Sequence, residues 1–407
     1  MRISRRALLG SAAIAAVPLR HARAQRPLIR VAVLNDQSGP YADDGGPMGV
    51  LCARQAVQDF GDHGFDVEVL VGDHQNKPDI GAGLARQWID RDGVDVIVDV
   101  PTSSVALAVN TVCREKDRAY LNSGGATTDL TGAQCSPTTV HWTYDTWMLS
   151  HSTGGAMLKA GGDSWFFITA DYVFGQQLER DTANLVTASG GKVLGKVRYP
   201  FPDTTDYSAF LVQAQASGAK VLGLANAGGD TMNCIKQAHE FGLNQSMQIA
   251  ALLSSVSEVH AIGLETAQGL RFTESFYWDL NDRTRAFTAR IKPKIQKAAQ
   301  WPNMVSTGNY GSVLHYLKAV ADLGPAEAKR SGTVAVTRMK AMPTDDDCFG
   351  PGRIREDGRK LHPAYLLEAK KPSESSGGWD LLKVVATTPA EEAFRPLKDG
   401  GCAFVKI

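Results

Sequence analysis

The chain has 407 residues, with 43 Lys+Arg against 43 Asp+Glu and 43% hydrophobic residues. That length exceeds one ordinary hydrophobic core and predicts two domains. Without a basic excess or stripe there is no electrostatic footprint for nucleic acid.

The first residues read as a leader. Ser4-Arg5-Arg6-Ala7-Leu8-Leu9 precedes a short apolar run, Ala12 to Val17, and the small-x-small triplet Ala22-Arg23-Ala24. This is the pattern of an export signal over residues 1–24, cleaved after Ala24. Its paired arginines point to the twin-arginine route. The run is far shorter than the roughly 20 apolar residues that span a bilayer, so it does not read as an anchor. Removing residues 1–24 takes away Arg2, Arg5, Arg6, Arg20 and Arg23 and no acid, leaving 38 Lys+Arg against 43 Asp+Glu, a net charge of about −5.

From Ile29 onward short apolar strands alternate with amphipathic helices, the pattern of a parallel sheet covered on both faces. Strands are expected at Ile29–Leu34, Val67–Val71, Val94–Val98 and Ala119–Leu121. Helices are expected at Gly49–Phe60, from Pro78, and at Ser104–Glu115. After a break in Thr138 to Asp145 the pattern restarts, with strands at Trp165–Thr169, Val193–Tyr199, Val221–Leu224, Met247–Ala251 and Leu270–Thr273. Its helices are expected at Gly175–Ala188, Ser208–Ala216 and Thr231–Phe241. Two further helices, Arg283–Ala299 and Gly311–Leu323, most simply pack back on the first unit, and two strands, Ala364–Ala369 and Trp379–Val385, close the pattern. The fold class is therefore α/β, with two doubly wound, Rossmann-like lobes. The boundaries are 26–143 plus 275–345 for lobe 1, 144–274 plus 346–385 for lobe 2, and 386–407 for a C-terminal tail.

In such sheets ligands sit at the carboxyl ends of the strands, and the cleft between two lobes is the natural pocket. Thr102, Ser103 and Ser104 lie where a strand gives way to a helix, so hydroxyls and free N–H groups converge with the helix dipole behind them, a place for a carboxylate. Gly124, Gly125, Ala126 and Thr127 follow the next strand, where small residues let backbone donors come close. The same residues would serve as a helix cap and a tight turn. Tyr41 follows the first strand and Tyr144 lies at the first crossing between lobes, and rings at such a cleft could stack on an apolar or aromatic body.

Several segments in order resemble the leucine-isoleucine-valine type of periplasmic solute receptor. They are Val31-Ala32-Val33-Leu34-Asn35-Asp36-Gln37-Ser38-Gly39-Pro40, Gly72-Asp73-His74-Gln75-Asn76-Lys77-Pro78, Thr102-Ser103-Ser104 and Ser123-Gly124-Gly125-Ala126-Thr127-Thr128-Asp129-Leu130-Thr131. In the second half Asp171-Tyr172-Val173-Phe174-Gly175 and Gln237-Ala238-His239-Glu240-Phe241-Gly242 match as well, and the resemblance implies that Tyr172 and Phe174 wall the ligand from the second lobe. The resemblance implies a type I periplasmic binding protein with a three-crossing hinge, a monomer that captures a small solute and docks on the permease subunits of an ABC importer in the inner membrane. Family members for amino acids hold the substrate ammonium with an acid just beyond the strand ending near Ala251. Here that stretch is Ala250-Ala251-Leu252-Leu253-Ser254-Ser255, without a carboxylate. In Asn226-Ala227-Gly228-Gly229-Asp230 the acid could replace it or cap a helix. An unmodified amino acid is therefore not the expected ligand; the carboxylate site at 102–104, the aromatic wall and the leucines suit a solute with an acid at one end and an apolar or aromatic body. Trp142-Thr143-Tyr144-Asp145-Thr146-Trp147 and Gly377-Gly378-Trp379-Asp380 resemble the aromatic-acid subgroup, with branched-chain amino acids or amides and urea as alternatives.

No Gly-x-Ser-x-Gly elbow occurs, no Walker or Rossmann glycine spacing, and no zinc-type Cys/His spacing, so neither a secreted hydrolase nor a cofactor or metal is indicated. Six cysteines allow fifteen full pairings, of which Cys113–Cys135, flanking one strand–helix unit, is the first expectation.

Overall fold

A computed structural model describes residues 26–406 of the chain. The leader at 1–24 lies outside the described residues. Among the described residues no helix is long and apolar enough to cross a membrane.

The first sheet is wholly parallel, in the order β2-β1-β3-β4-β5, built from Leu28–Asn35 (β1), Asp66–Asp73 (β2), Val96–Asp99 (β3), Ala119–Asn122 (β4) and Thr139–His141 (β5). β1 and β3 carry Val31, Val33, Val96 and Val98, all fully buried, because helices cover both faces. β5 falls inside the expected break; three residues are too short to show a pattern, and register with Tyr120 to Asn122 makes the strand.

The second sheet has the order β14-β13-β10-β9-β8-β6-β7. Its parallel part holds Ser164–Ala170 (β6), Lys192–Tyr199 (β7), Val221–Ala225 (β8), Gln248–Ala251 (β9) and Arg271–Glu274 (β10). A two-stranded ribbon, Arg353–Ile354 (β11) and Lys360–Leu361 (β12), lies beside β5 through the bridge from His141 to Arg359. Ala364–Ala369 (β13) and Leu382–Thr388 (β14) then add antiparallel to the second sheet. The chain thus crosses between the sheets between β5 and β6, after β10, and between β12 and β13.

Two helices depart furthest from the expected bounds. The first ends at Ile291 and yields to a tight turn, Lys292–Lys294, because Pro293 cannot continue it. The second runs Met304–Leu323, starting seven residues earlier than its apolar pattern suggested. Its opening Ser306, Thr307, Gly308 and Asn309 are buried although polar, so no stripe marks them, and Asn303 caps the helix through a reciprocal bond with Ser306.

The expected Cys113–Cys135 bridge does not form. Cys113 sits on the inward face of Ser103–Glu115, packed with Val109, Val112 and Tyr120, and is free. Cys135 instead pairs with Cys402, 267 residues away. The bridge pins the tail to the first lobe, where Phe394 is buried and Arg359 lies 4.4 Å over its ring.

Candidate functional site

The carboxyl ends of both sheets face each other across a narrow cavity of about 30 Å³. From the first lobe come the loop after β1, the loop after β3 and the loop after β4. From the second come the loops after β6, β8 and β9, with Glu274 at the end of β10. That volume holds a water or two and is far below that of ordinary small-molecule sites, so a solute enters only when the lobes part.

Four aromatic rings, Tyr41, Tyr144, Tyr172 and Phe174, form the wall. The Tyr41 and Tyr172 hydroxyls hydrogen-bond across the lobes at 2.6 Å, Tyr144 donates to the Gly124 carbonyl at 2.7 Å, and Phe201 stacks on Tyr172 from behind at 4.4 Å. Pro101, Ala126, Ala227, Leu253, Met304 and Val305 make the apolar floor. Pro101 is presented by unusual backbone: Asp99 and Val100 have φ of 84° and 63°, a left-handed pair that non-glycine residues adopt at a penalty of order 1–3 kcal/mol each. Asp99 holds this turn by accepting from Asn35 at 2.9 Å and Asn309 at 2.7 Å.

The polar part of the wall is acidic. Asp44 accepts from Ser255 Oγ at 2.7 Å. Glu258 accepts from Ser254 Oγ at 2.6 Å and from the Gly228 N–H at 2.9 Å. Glu274 accepts from the Met304 N–H at 2.8 Å through one oxygen, while Oε1 has no protein partner. Burial pushes all three carboxyl groups up, Asp44 to about 6 and the two glutamates well above their ordinary range. Among the described residues no Lys, Arg or His lines the cavity. Among the described residues no group of His, Cys, Asp and Glu is arranged to hold a metal ion.

Of the residues singled out in the sequence, Tyr41, Ala126, Tyr144, Tyr172 and Phe174 meet at this cavity. The others stand behind or beside it. Thr102 donates to Asn76, Ser103 Oγ is buried without a partner at the first turn of its helix, and Ser104 is half-buried on the same helix. A Cβ on Gly124 would stand 2.5 Å from the Pro101 backbone, and one on Gly125 would stand 2.7 Å from Ala106, so both are small for packing between the loops. Thr127 caps the turn Thr128–Thr131. Asn226 binds Thr231 and Cys234, Leu252 is core, and Asp230 accepts from Tyr199 at 2.6 Å inside the second lobe.

The three acids escaped the motif reading. Asp44 lies in an irregular loop, and Glu274 looks like the last residue of a strand. Glu258 carried a legible signal: Ser255-Val256-Ser257-Glu258 has the spacing of a capping box, and Ser255 does cap the helix Val256–Ile262. One turn of helix brings that carboxylate back to the cavity.

The second lobe is closed against the first at backbone level. Gly229 N–H donates to the Pro40 carbonyl at 3.1 Å. Gly228 has φ 61° and would place a Cβ 2.4 Å from the same oxygen.

Residues 28–377 match the family model described as periplasmic binding protein. A periplasmic binding protein from Burkholderia mallei is 46% identical, covering 93% of this chain and 99% of its own, with a TM-score of 0.88. A branched-chain amino acid ABC transporter periplasmic ligand-binding protein from Burkholderia xenovorans is 34% identical over 92% of this chain and 99% of its own, with a TM-score of 0.80. An ABC transporter solute-binding protein from Rhodopseudomonas palustris, in complex with 3,4-dihydroxybenzoic acid, shares the fold at 21% identity, 89% and 98% coverage and a TM-score of 0.78. No curated protein matches the sequence significantly. Two α/β lobes closing on one cavity, and a family match over most of the chain, lead to one conclusion: the chain belongs to the periplasmic binding protein family, the small-molecule receptors that serve membrane permeases of ABC transporters.

Proposed function

We propose that the chain is the receptor of an ABC importer for a small solute with an apolar body and a protonated nitrogen, an amino acid of the branched-chain kind being the nearest example. The observation that carries this reading is the cavity lining, three buried carboxyl groups and four aromatic rings with no basic side chain. A cation entering there satisfies the free Glu274 oxygen and gains from the ring faces. The relative from Burkholderia xenovorans, described as a branched-chain amino acid receptor, supports the same class.

The reading departs from the aromatic acid expected from sequence. That expectation rested on the resemblance of 142–147 and 377–380 to the aromatic-acid subgroup and on the absence of an acid in residues 250–255, whereas the acids of the cavity come from 44, 258 and 274. A ligand with a carboxylate alone would leave the acids of the cavity without a cationic partner. Release to a permease and hinge opening follow as for any two-lobed receptor.

Thermal-shift screening of aliphatic and aromatic amino acids, simple amines, amides and benzoates at pH 7.5 tests this, since a tight ligand raises the midpoint by mass action. Amino compounds are expected to give the large shifts. Benzoates shifting the midpoint while every amino compound is silent would overturn it.

A further inference from the structure

Arg359 is fully buried, yet it does not line the cavity. It stands just before β12, in the ribbon that the His141 N–H holds against β5 by donating to the Gly358 carbonyl at 2.9 Å. Its guanidinium works on one segment, Thr143-Tyr144-Asp145, the first crossing between the lobes. One Nη donates to the Thr143 carbonyl, the other lies 3.5 Å from the Asp145 carboxylate, and Nε donates to the Lys360 carbonyl at 3.1 Å. The first two grips fall on either side of Tyr144, whose ring stands in the cavity wall and whose hydroxyl donates to the Gly124 carbonyl at 2.7 Å. That ring is therefore fixed at its backbone by Arg359 and at its far end by Gly124. The C-terminal tail completes the seat: the Phe394 ring covers the guanidinium at 4.4 Å, Arg395 donates to the Thr128 carbonyl at 3.1 Å, and Cys402 is tied to Cys135. A guanidinium is planar with its donors set in a fork, so it stacks on a ring while reaching a carbonyl and a carboxylate at once, which an ammonium does not. Burial lowers the pKa of Arg359 to about 10, so it stays charged at neutral pH and compensates the equally buried Asp145. A buried ion pair gives little net stability over apolar packing, so what this one supplies is geometry.

We propose that Arg359 is a positioning residue for ligand binding: by gripping Thr143 and Asp145 it fixes the Tyr144 ring in the cavity wall, and the disulfide-bound tail holds it in that pose through Phe394. Arg359 touches no ligand and acts only through the ring. Lysine at 359 keeps a charge opposite Asp145 but loses the fork and the stack, so the fold stands while the Tyr144 ring is freed. Leucine at 394 keeps apolar bulk beneath the guanidinium but loses the ring face.

Fluorine NMR of the protein carrying 3-fluorotyrosine, with the Tyr144 signal assigned by Tyr144→Phe, tests this without any ligand. Arg359→Lys and Phe394→Leu are expected to shift or split the Tyr144 signal and to leave in place those of Tyr199 and Tyr207, in the core of the second lobe. A merely structural role gives a different result: a lower melting temperature with the Tyr144 signal unmoved, or all tyrosine signals displaced together. Either would overturn the proposal. Should Arg359→Lys not fold, Phe394→Leu decides in the same terms. Calorimetry with L-leucine reads the consequence for binding, and this arm rests on the reading that the solute is an amino compound. Arg359→Lys is expected to weaken leucine by about tenfold, the size of coupling that residues in contact show. Leucine bound equally by wild type and Arg359→Lys would overturn the proposal even with the Tyr144 signal moved. Silence of leucine toward the wild type would sink the amino-solute reading instead and leave the fluorine signals to decide on Arg359.

Discussion

Replacing Glu274 by Gln separates the ligand's charge from the fold. Glu274 uses one oxygen to hold the Met304 N–H at 2.8 Å, the start of the helix Met304–Leu323, and a Gln carbonyl keeps that bond. Only the free oxygen becomes an amide nitrogen. Losing a charge-assisted hydrogen bond to a buried cation is worth about 1.5–3 kcal/mol, or about 10–150-fold in Kd for an amino ligand, read by titration calorimetry. The ligand-free protein should respond in the opposite sense. The folded-state pKa of Glu274 is raised by burial, so wild type has the associated stability below about pH 4 and loses it as pH rises through the folded value. Glu274→Gln escapes that loss: it should be more stable than wild type at pH 7.5, by about 1–3 kcal/mol, and equal to it near pH 4. Unaltered affinity, or a variant destabilised equally at both pH values, would refute the reasoning.

Three further outcomes follow from the geometry. Gly228→Ala should weaken ligand binding at least about tenfold by calorimetry, because its Cβ would collide with the Pro40 carbonyl only when the lobes are closed. Tyr172→Phe removes the hydroxyl pair with Tyr41 at 2.6 Å and leaves one buried phenol unsatisfied, which should weaken binding about 5–30-fold while the ligand-free melting temperature moves little. Cys402→Ser opens the long loop closed through Cys135 and should lower unfolding free energy by about 2–5 kcal/mol in oxidising buffer, and by nothing relative to wild type once both are reduced.

How far the sequence speaks differs between the scaffold and the site. β1, β3, β6 and β8 are short runs of Val, Ile, Leu and Phe between helices with clear stripes, so local pattern and tertiary burial agree. Met304–Leu323 begins without a stripe because it is buried all round, and its cap, Asn303 with Ser306, is legible only once the helix is suspected. The aromatic wall could be anticipated, since Tyr41, Tyr144, Tyr172 and Phe174 stand at strand ends or crossings. The acids could not be grouped in advance: Asp44, Glu258 and Glu274 come from a loop, a helix turn and a strand end and share a neighbourhood only after both sheets form and close. The small residues at 124–125 show the reverse case, where a pattern suited to ligand approach serves the packing of one loop on another.

The central claim is that the site selects a cationic nitrogen. It is tested most directly by calorimetry on the wild type at pH 7.5 with three matched compounds: L-leucine, its decarboxylated analogue isoamylamine, and its desamino analogue 4-methylpentanoate. The account predicts that leucine binds, that the amine retains measurable affinity, and that the acid fails to bind. The acid binding as tightly as leucine would contradict it.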